Sequence, residues 1–514
     1  MSEINNGFED VELPTLNDTI IEIVEMVLED VGLPVETTDS EMSEWIVNCV
    51  FDERIAWNKE FGWMAFYGCV WNRVSEQTIV EIVRIANASL HARFMAGGGG
   101  AALDATKVKK LLSASKIKSI VALLAGQVQV DAGMFDQRND LLNTPTGVVN
   151  LRTLEILKSD PKFYFTKITN VPYIPKARHN DVESMLTCLD AVERNWLCDR
   201  HGQALIGSQP KDATITLLVG FGANGKTSVM HAANLAAGTF FGRIPVTVLA
   251  ASSKVQPNDK MTLRGVRVAL IEEFPEGHTF SNRNLKEVVG TPVIQGRFLF
   301  KEYVEWRSTH TLFVTTNDLP RVDETDHGTW RRFTVLTFPY RYVGPEKEQV
   351  AGDKLADPDL LARIEGNADG QLEAMLALMV EAAHANLSRG GKALAPTVKM
   401  SADLESWRER CDKVQGFVKE CIEFDATCHV SASDLYFVYK NWMESQGNKP
   451  MSQPNFISKF LEHETVRPMR VEKKRVRAGQ WETTFITPLR IFGTEIQSEE
   501  LERYVAIRGV KFQK

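Results

Sequence analysis

The chain has 514 residues, a formal net charge of -8, 44% hydrophobic and 25% charged residues, and seven cysteines. That length exceeds what one hydrophobic core organises and excludes a small single module, so about two to four domains are expected. The odd cysteine count, with no paired C-x-x-C spacing, excludes a disulfide framework, and the net acidity excludes a nucleic-acid-binding surface spread over the whole protein.

Met1 to Pro14 is acidic and polar, with neither a signal-peptide core nor an Arg-rich transit pattern. The apolar runs fall short of the roughly 20 residues that span a bilayer. The expectation is a cytoplasmic protein with no membrane partner. Ile20, Ile23, Val24, Val27, Leu28 and Val31 recur at helical spacing, and Gly32 with Pro34 ends that helix. Residues 43 to 95 read as mainly helical around an aromatic knot from Phe61 to Trp71, Gly97 to Gly100 as a joint, and 104 to 127 as helix. Residues 1–127 are thus predicted to form a mainly helical N-terminal region. From Val128 to Tyr173 the pattern turns β-rich, punctuated by Asn143 to Gly147 and by Pro161, Pro172 and Pro175, and helix returns at about 180 to 206. Residues 128–206 therefore read as a β-rich, then helical, collar.

The apolar run Ile215 to Val219 leads directly into Gly220, Phe221, Gly222, Ala223, Asn224, Gly225, Lys226 and Thr227, followed by Ser228, which fits G-x-x-x-x-G-K-[ST] between a strand and a helix. Glycines let successive N–H groups curl around phosphate oxygens, Lys226 brings a cation to the β/γ phosphates, and the Thr227 hydroxyl ligates Mg²⁺ at the positive end of a helix. ATP and Mg²⁺ are the cofactors this loop calls for. Further on, the strand Val266 to Ile271 ends in Glu272 and Glu273, where a Walker B element belongs. Phosphoryl transfer depends on positioning and electrostatics, so Glu272 is assigned to Mg²⁺ and Glu273 to the attacking water. A third strand, Thr311 to Thr316, delivers Asn317 as a neutral sensor of the γ-phosphate. Trp330 then precedes Arg331 and Arg332, paired arginines suited to act as a finger on a neighbouring subunit's nucleotide. Residues 207–345 form the predicted ATPase core, with alternating strands and helices.

Asp357-Pro358-Asp359 reads as helix capping, and residues 346–423 as a helical linker region. Residues 424–514 follow a winged-helix order: a helix from Ser433 to Ser445, a turn at Gly447 to Pro450, a helix from Gln453 to His463, and two strands, Met469 to Arg477 and Gln480 to Pro488. Arg470, Lys473, Lys474, Arg475 and Arg477 face a single acid, Glu472, which predicts phosphate contacts to duplex DNA. Cys421, Cys428 and His429 lack a fourth ligand at zinc spacing, so no metal is expected there.

Several of these segments together resemble the superfamily 3 helicase core of phage and plasmid primase-helicases. They are Gly222 to Thr227, the Glu272-Glu273 strand end, Leu285 to Gly290 leading to Arg297 and Lys301, Thr316 to Pro320, and Asp326 to Arg332. Upstream, Phe135-Asp136, Leu141 to Asn143, Gly147 to Leu151 and Phe163 to Thr166 are similar to the domain that precedes this core in poxvirus and phage relatives. With the tail, the resemblance runs over roughly residues 50 to 490. It implies an α/β, AAA+-like P-loop ATPase core in a multi-domain chain, assembled as a hexameric or similar ring that moves on single-stranded DNA, typically 3′ to 5′. The implied function is ATP-dependent DNA unwinding in phage or mobile-element replication, with a pore hairpin between Walker B and the sensor. By position, Lys301 best matches the hairpin's DNA-contacting lysine and Arg297 is second, whereas Thr291 departs from the acid that relatives often carry after the glycine. The residues ahead of the β-rich stretch show no strand-borne acid triad or zinc ribbon, so a separate primase or polymerase is the implied partner. The alternative left open is an origin-binding initiator ring that melts DNA without processive unwinding, which the basic wing favours; a packaging motor is weakened because no acidic nuclease cluster follows the ATPase.

Overall fold

The computed structural model describes residues 16–98, 104–251, 257–275, 278–299, 301–322, 327–346, 348–477, 489–491, 494–496 and 503–513. In the N-terminal part, α1 (Leu16–Asp30) buries Ile20, Val24 and Leu28, as its spacing predicts. Helix α2 (Asp39–Trp45) starts where the Thr38 hydroxyl accepts from the Glu41 N–H at 3.2 Å, a side-chain cap. Residues 43–95 then depart from the helical expectation. Strands β1 (Ile55–Asn58), β2 (Gly62–Tyr67) and β3 (Val70–Val74) form an antiparallel sheet inside that span. Its tight turns need left-handed backbone at Gly62, Gly68 and Cys69. The aromatic knot is core, with the Trp71 ring stacked on Tyr164 at 5.7 Å and edge-on to Phe135 at 5.9 Å. Helices α3 (Glu76–Arg93), α4 (Ala105–Lys110) and α5 (Ala114–Gln127) complete this unit. The Gly97–Gly100 run continues a helical turn as far as Gly98, and its last two glycines lie outside the described residues.

The β-rich stretch reduces to three short antiparallel strands, β4 (Leu141–Thr144), β5 (Gly147–Asn150) and β6 (Ile156–Leu157). Helices α6 (Asn180–Leu186) and α7 (Ala191–Leu205) follow. Two buried arginines tie this part to the next. Arg267 donates to the Leu205 carbonyl at 2.6 Å and the Leu141 carbonyl at 2.9 Å, and Arg200 donates to Asp212 at 2.8 Å and the Thr214 carbonyl at 3.0 Å. Such carbonyl-rich cages are what a buried guanidinium requires.

At the centre lies a five-stranded sheet of β7 (Ile215–Val219), β8 (Phe241–Arg243), β9 (Val268–Ile271), β12 (Thr311–Thr316) and β13 (Phe333–Thr337), in the order β13-β7-β12-β9-β8. Every neighbouring pair is parallel. The strands read as near-continuous apolar runs because both faces are covered. Leu218, Leu270, Phe313 and Leu336 meet α8 (Lys226–Ala237) and α13 (Gln371–Ser388), while Leu217, Ile271, Val314 and Val335 join the opposite core with α10 (Asn282–Val289) and Trp407. Between β9 and β12 the chain makes a separate hairpin, β10 (Val293–Gly296) and β11 (Val304–Arg307), against α9 (Pro257–Met261). Helix α11 (His327–Trp330) leads into β13, and β14 (Tyr342–Val343) pairs in parallel with β15 (Lys354–Leu355).

Helices α12 (Leu360–Gly366), α13, α14 (Val398–Cys411) and α15 (Lys413–Cys421) then run to the C-terminal unit. Helix was expected as far as residue 423. It ends at Cys421, and Ile422–Ser431 is a strand, β16. Helices α16 (Ala432–Ser445) and α17 (Gln453–Glu462) match the predicted pair. The following strand starts later than expected, because Arg467–Met469 is a 3₁₀ turn ended by left-handed Arg470; β17 spans Glu472–Arg477. Its described partner is not the adjacent Gln480 to Pro488, which lies outside the described residues, but β20 (Arg503–Phe512). The sheet order is β16-β20-β17, and β18 (Leu489–Ile491) pairs with β19 (Thr494–Ile496).

Candidate functional site

In a parallel sheet all carboxyl ends share one edge, and ligands bind where neighbouring strands feed crossovers in opposite directions. Here β7 lies between β13 and β12, while its following helix α8 carries the chain to β8 at the far side of the sheet. Thr316 pairs with Val219 and Val314 with Ile271, so the segments starting at Gly220, Glu272 and Asn317 leave the sheet along the same edge.

The Gly220–Thr227 loop closes onto the N-terminus of α8 with left-handed Ala223 and Gly225. A Cβ at Gly225 would stand 2.8 Å from Cys188 Cβ, so only glycine fits. Lys226 is buried, its Nζ donates to the Gly220 carbonyl, and burial pushes its ammonium down to about 8. Asn224 Oδ1 accepts from the Lys226 N–H at 3.3 Å. Its Nδ2 is buried and makes no hydrogen bond among the described residues. Gly222, Ala223 and Thr227 are exposed and Ser228 half-buried. A buried orphan amide donor, a desolvated ammonium and a helix N-terminus on one loop fit a polyphosphate.

Glu272 and Glu273 are both exposed at the end of β9. Glu272 Oε1 accepts from Arg243 Nε at 3.1 Å, a partner on β8 that no motif flagged. Glu273 adopts left-handed backbone, and its N–H donates to Thr315 Oγ1 at 3.1 Å. This bond fastens the acidic turn to the strand that carries Asn317. Asn317 itself is exposed. For a divalent ion the oxygen donors at this edge are the Thr227 hydroxyl and the two carboxylates, hard ligands that fit Mg²⁺. Such an ion would neutralise charge between the β- and γ-phosphates.

Arg331 and Arg332 sit elsewhere. They precede Phe333, which pairs with Ile215 at the start of β7, so the sheet separates them from the loop after Val219. Five strand residues at about 3.3 Å each put the two edges roughly 15 Å apart. Arg331 is exposed, whereas the half-buried Arg332 donates to the Gly328 carbonyl.

Lys301 was expected in a hairpin between the acidic strand end and the sensor strand. It lies in the turn between β10 and β11, its N–H donating to the Phe298 carbonyl at 3.1 Å. The register sets this: Gly296 pairs with Val304, so everything between them is hairpin tip. The tip exposes Lys301, Phe298, Leu299 and Tyr303, and Arg297 lies with its guanidinium 4.7 Å from the Tyr303 ring centre. On β17, Lys473 and Arg475 are exposed, and Lys474 pairs with Glu472 at 2.8 Å. Arg470 is exposed in the turn before the strand, and Arg477 lies at its end opposite Arg503.

Residues 44–192 match the family model described as "D5 N terminal like", and residues 409–504 match "Poxvirus D5 protein-like". A protein of Acanthamoeba polyphaga mimivirus provisionally named a helicase is 22% identical over 390 residues, 70% of this chain and 39% of the relative. One from African swine fever virus provisionally named a primase is 23% identical over 333 residues, 61% and 34% respectively. One from Frog virus 3, again provisionally a helicase, is 24% identical over 271 residues, 51% and 27%. The chain spans about two fifths or less of the length of these relatives. Among solved structures, "The A form apo structure of NrS-1 C terminal region-CTR" aligns over 90% of this chain and 98% of that one, at 12% identity and a TM-score of 0.47. The two family matches bear out, on both sides of the central sheet, the resemblance to poxvirus-type primase-helicases seen in the motifs.

Proposed function

We propose that this chain is an ATP-driven DNA helicase of a phage or other mobile element, working as a ring on single-stranded DNA. The observation that carries the reading is the shared sheet edge, where the Gly220–Thr227 loop, Glu272-Glu273 and Asn317 leave adjacent parallel strands. In this reading the loop N–H groups and Lys226 bind phosphates, Thr227 and Glu272 hold Mg²⁺, Glu273 accepts the proton of the attacking water, and Asn317 orients that water.

The placement of the arginines supports the ring. A finger on the opposite end of its own sheet cannot meet its own γ-phosphate, so Arg331 serves a neighbouring subunit or none. The exposed hairpin tip with Lys301 and Arg297 supports a DNA contact in the pore of that ring. A second reading, a duplex-binding initiator that melts DNA without processive movement, draws on exposed Lys473 and Arg475 on β17, the outer strand of its sheet among the described residues. A separate primase or polymerase remains the proposed partner in either case.

The test is ATP turnover with and without oligothymidine, together with the mass of the assembly in ATP and DNA. Stimulated turnover from a multi-subunit particle, abolished in Lys226→Ala, supports the reading. Turnover indifferent to DNA in a particle that stays monomeric refutes it.

A further inference from the structure

Between the central ATPase unit and the C-terminal unit lies a cleft of about 620 Å³. One wall is the loop Leu319–Val322, which begins two residues beyond Asn317. The other walls are the α14–α15 junction, the turn before α17, and α17 itself. Its charged lining residues are Arg321, Arg410, Lys413, Lys449 and Lys459, with no carboxylate among the described residues that line it. In a chain of net charge -8 this is a local reversal of sign. None of the five cations forms an ion pair with a described residue, and all but the half-buried Lys413 are exposed. Asp323, Glu324 and Asp326 come next in the chain and lie outside the described residues.

The arrangement is fixed by its surroundings. Asp412, the acid at the α14–α15 junction, is turned inward: it accepts from the N–H groups of Val414 at 3.0 Å and Gln415 at 2.9 Å and bonds His463 Nε2 at 2.8 Å. It therefore neutralises nothing in the cleft. Trp407 Nε1 donates to the Pro320 carbonyl at 3.0 Å, pinning α14 to the wall that continues from Asn317. On α17, Asn455 and Lys459 are four residues apart and share a face, which adds an amide to the cationic lining.

We propose that this cleft binds the phosphodiester backbone of DNA, as a contact separate from the hairpin tip and from β17. Several cations without an ion-pair partner among the described residues, spread along one groove, suit a repeating anion better than a single one. The aromatic residues of the floor, Trp407 and Tyr439, are almost wholly buried and offer no ring face for a base to stack on, so the contact is to phosphates and independent of sequence. The proposal rests on the reading of the chain as a DNA-acting ATPase. It adds that DNA held here touches the same loop that carries the sensor Asn317.

The test uses the full chain without nucleotide, with fluorescence anisotropy of labelled oligothymidine and of a labelled duplex across a salt series. Arg410→Ala/Lys449→Ala/Lys459→Ala is compared with wild type and with Lys473→Ala/Lys474→Ala/Arg475→Ala. The cleft variant should lose roughly tenfold or more in affinity and flatten the log-log salt slope by about 2 on single strands, three contacts at about 0.7 each, or by nearly 3 on duplex. Whichever DNA shows the change is the form the cleft holds. Lys449→Arg/Lys459→Arg should keep wild-type binding, which separates a lost contact from a misfolded chain. Equal affinity and slope for wild type and a folded cleft variant, with the β17 variant alone impaired, overturns the cleft and leaves the functional reading standing. A wild type that binds neither DNA overturns both.

Discussion

Phe333 pairs with Ile215 across the parallel β13–β7 ladder, which sets Arg331 and Arg332 at the end of the sheet opposite Gly220. In the proposed ring, any action of these arginines on a γ-phosphate would be on a neighbouring subunit's. Arg331→Ala is expected to lose turnover by about 10³-fold or more and to regain part of it when mixed with Lys226→Ala, through interfaces that combine one intact loop with one intact arginine. Arg332→Ala should instead lose about 1 kcal/mol of stability along with its bond to the Gly328 carbonyl. Steady-state ATPase of the mixtures and thermal melting of the single variants separate the two roles. No rescue at any mixing ratio would count against the trans finger.

The acidic turn yields a second expectation. Glu273→Gln should bind ATP and fail to turn it over, while Glu272→Gln should chiefly weaken the Mg²⁺ dependence. Because Thr315 Oγ1 accepts from the Glu273 N–H at 3.1 Å, Thr315→Val should lower kcat with little change in KM. The Arg243–Glu272 pair is about half exposed on both sides, so Arg243→Ala should cost under about 1 kcal/mol of stability. Wild-type turnover by Glu273→Gln together with an inactive Glu272→Gln would reverse the two carboxylate roles.

Two buried histidines predict acid sensitivity. Burial pushes both His201 and His310 down to about 4, from an ordinary value of 6.5. His201 stacks on Phe313 at 5.0 Å, and its buried Nε2 has no partner among the described residues to receive a bond from an added proton. The unfolded chain takes up these protons first as pH falls. The stability that neutral histidines contribute is therefore present above pH 6.5 and lost as pH falls through about 4. Melting temperature should drop across that window in wild type and less steeply in His201→Gln/His310→Gln. Parallel slopes would show that other groups govern acid unfolding.

The hairpin tip gives a fourth. Lys301→Ala should keep basal ATPase and oligomeric mass, lose DNA-stimulated turnover, and flatten the single-strand salt slope by about 0.7 per engaged subunit. Strand displacement and DNA-stimulated ATPase measured side by side check it. Normal displacement by Lys301→Ala and by Arg297→Ala would move the contact elsewhere.

The loop and the acidic strand end were legible because their chemistry is local: a glycine-lysine spacing and an apolar run ending in acids need no distant partner. The N-terminal sheet was not. The run from Ile55 to Val74 is rich in aromatic and small residues that suit either element, and what decides it is the turn backbone at Gly62, Gly68 and Cys69. Strand β16 was missed because it follows α15 without a break and finds its partner, β20, at Arg503–Phe512. Arg243 was missed for the same reason, since only the β8–β9 pairing brings it beside Glu272. The cleft cations are scattered from Arg321 to Lys459 and form no run in the sequence.

The central claim, that ATP turnover at the β7–β9–β12 edge drives movement along DNA, is tested most directly by strand displacement on forked DNA. The substrates carry a single-stranded tail of one polarity or the other, and Lys226→Ala is run in parallel. The account predicts ATP-dependent displacement on one tail polarity only, absent in Lys226→Ala. Robust DNA-stimulated ATPase with no displacement on either fork would contradict it and favour the non-processive initiator.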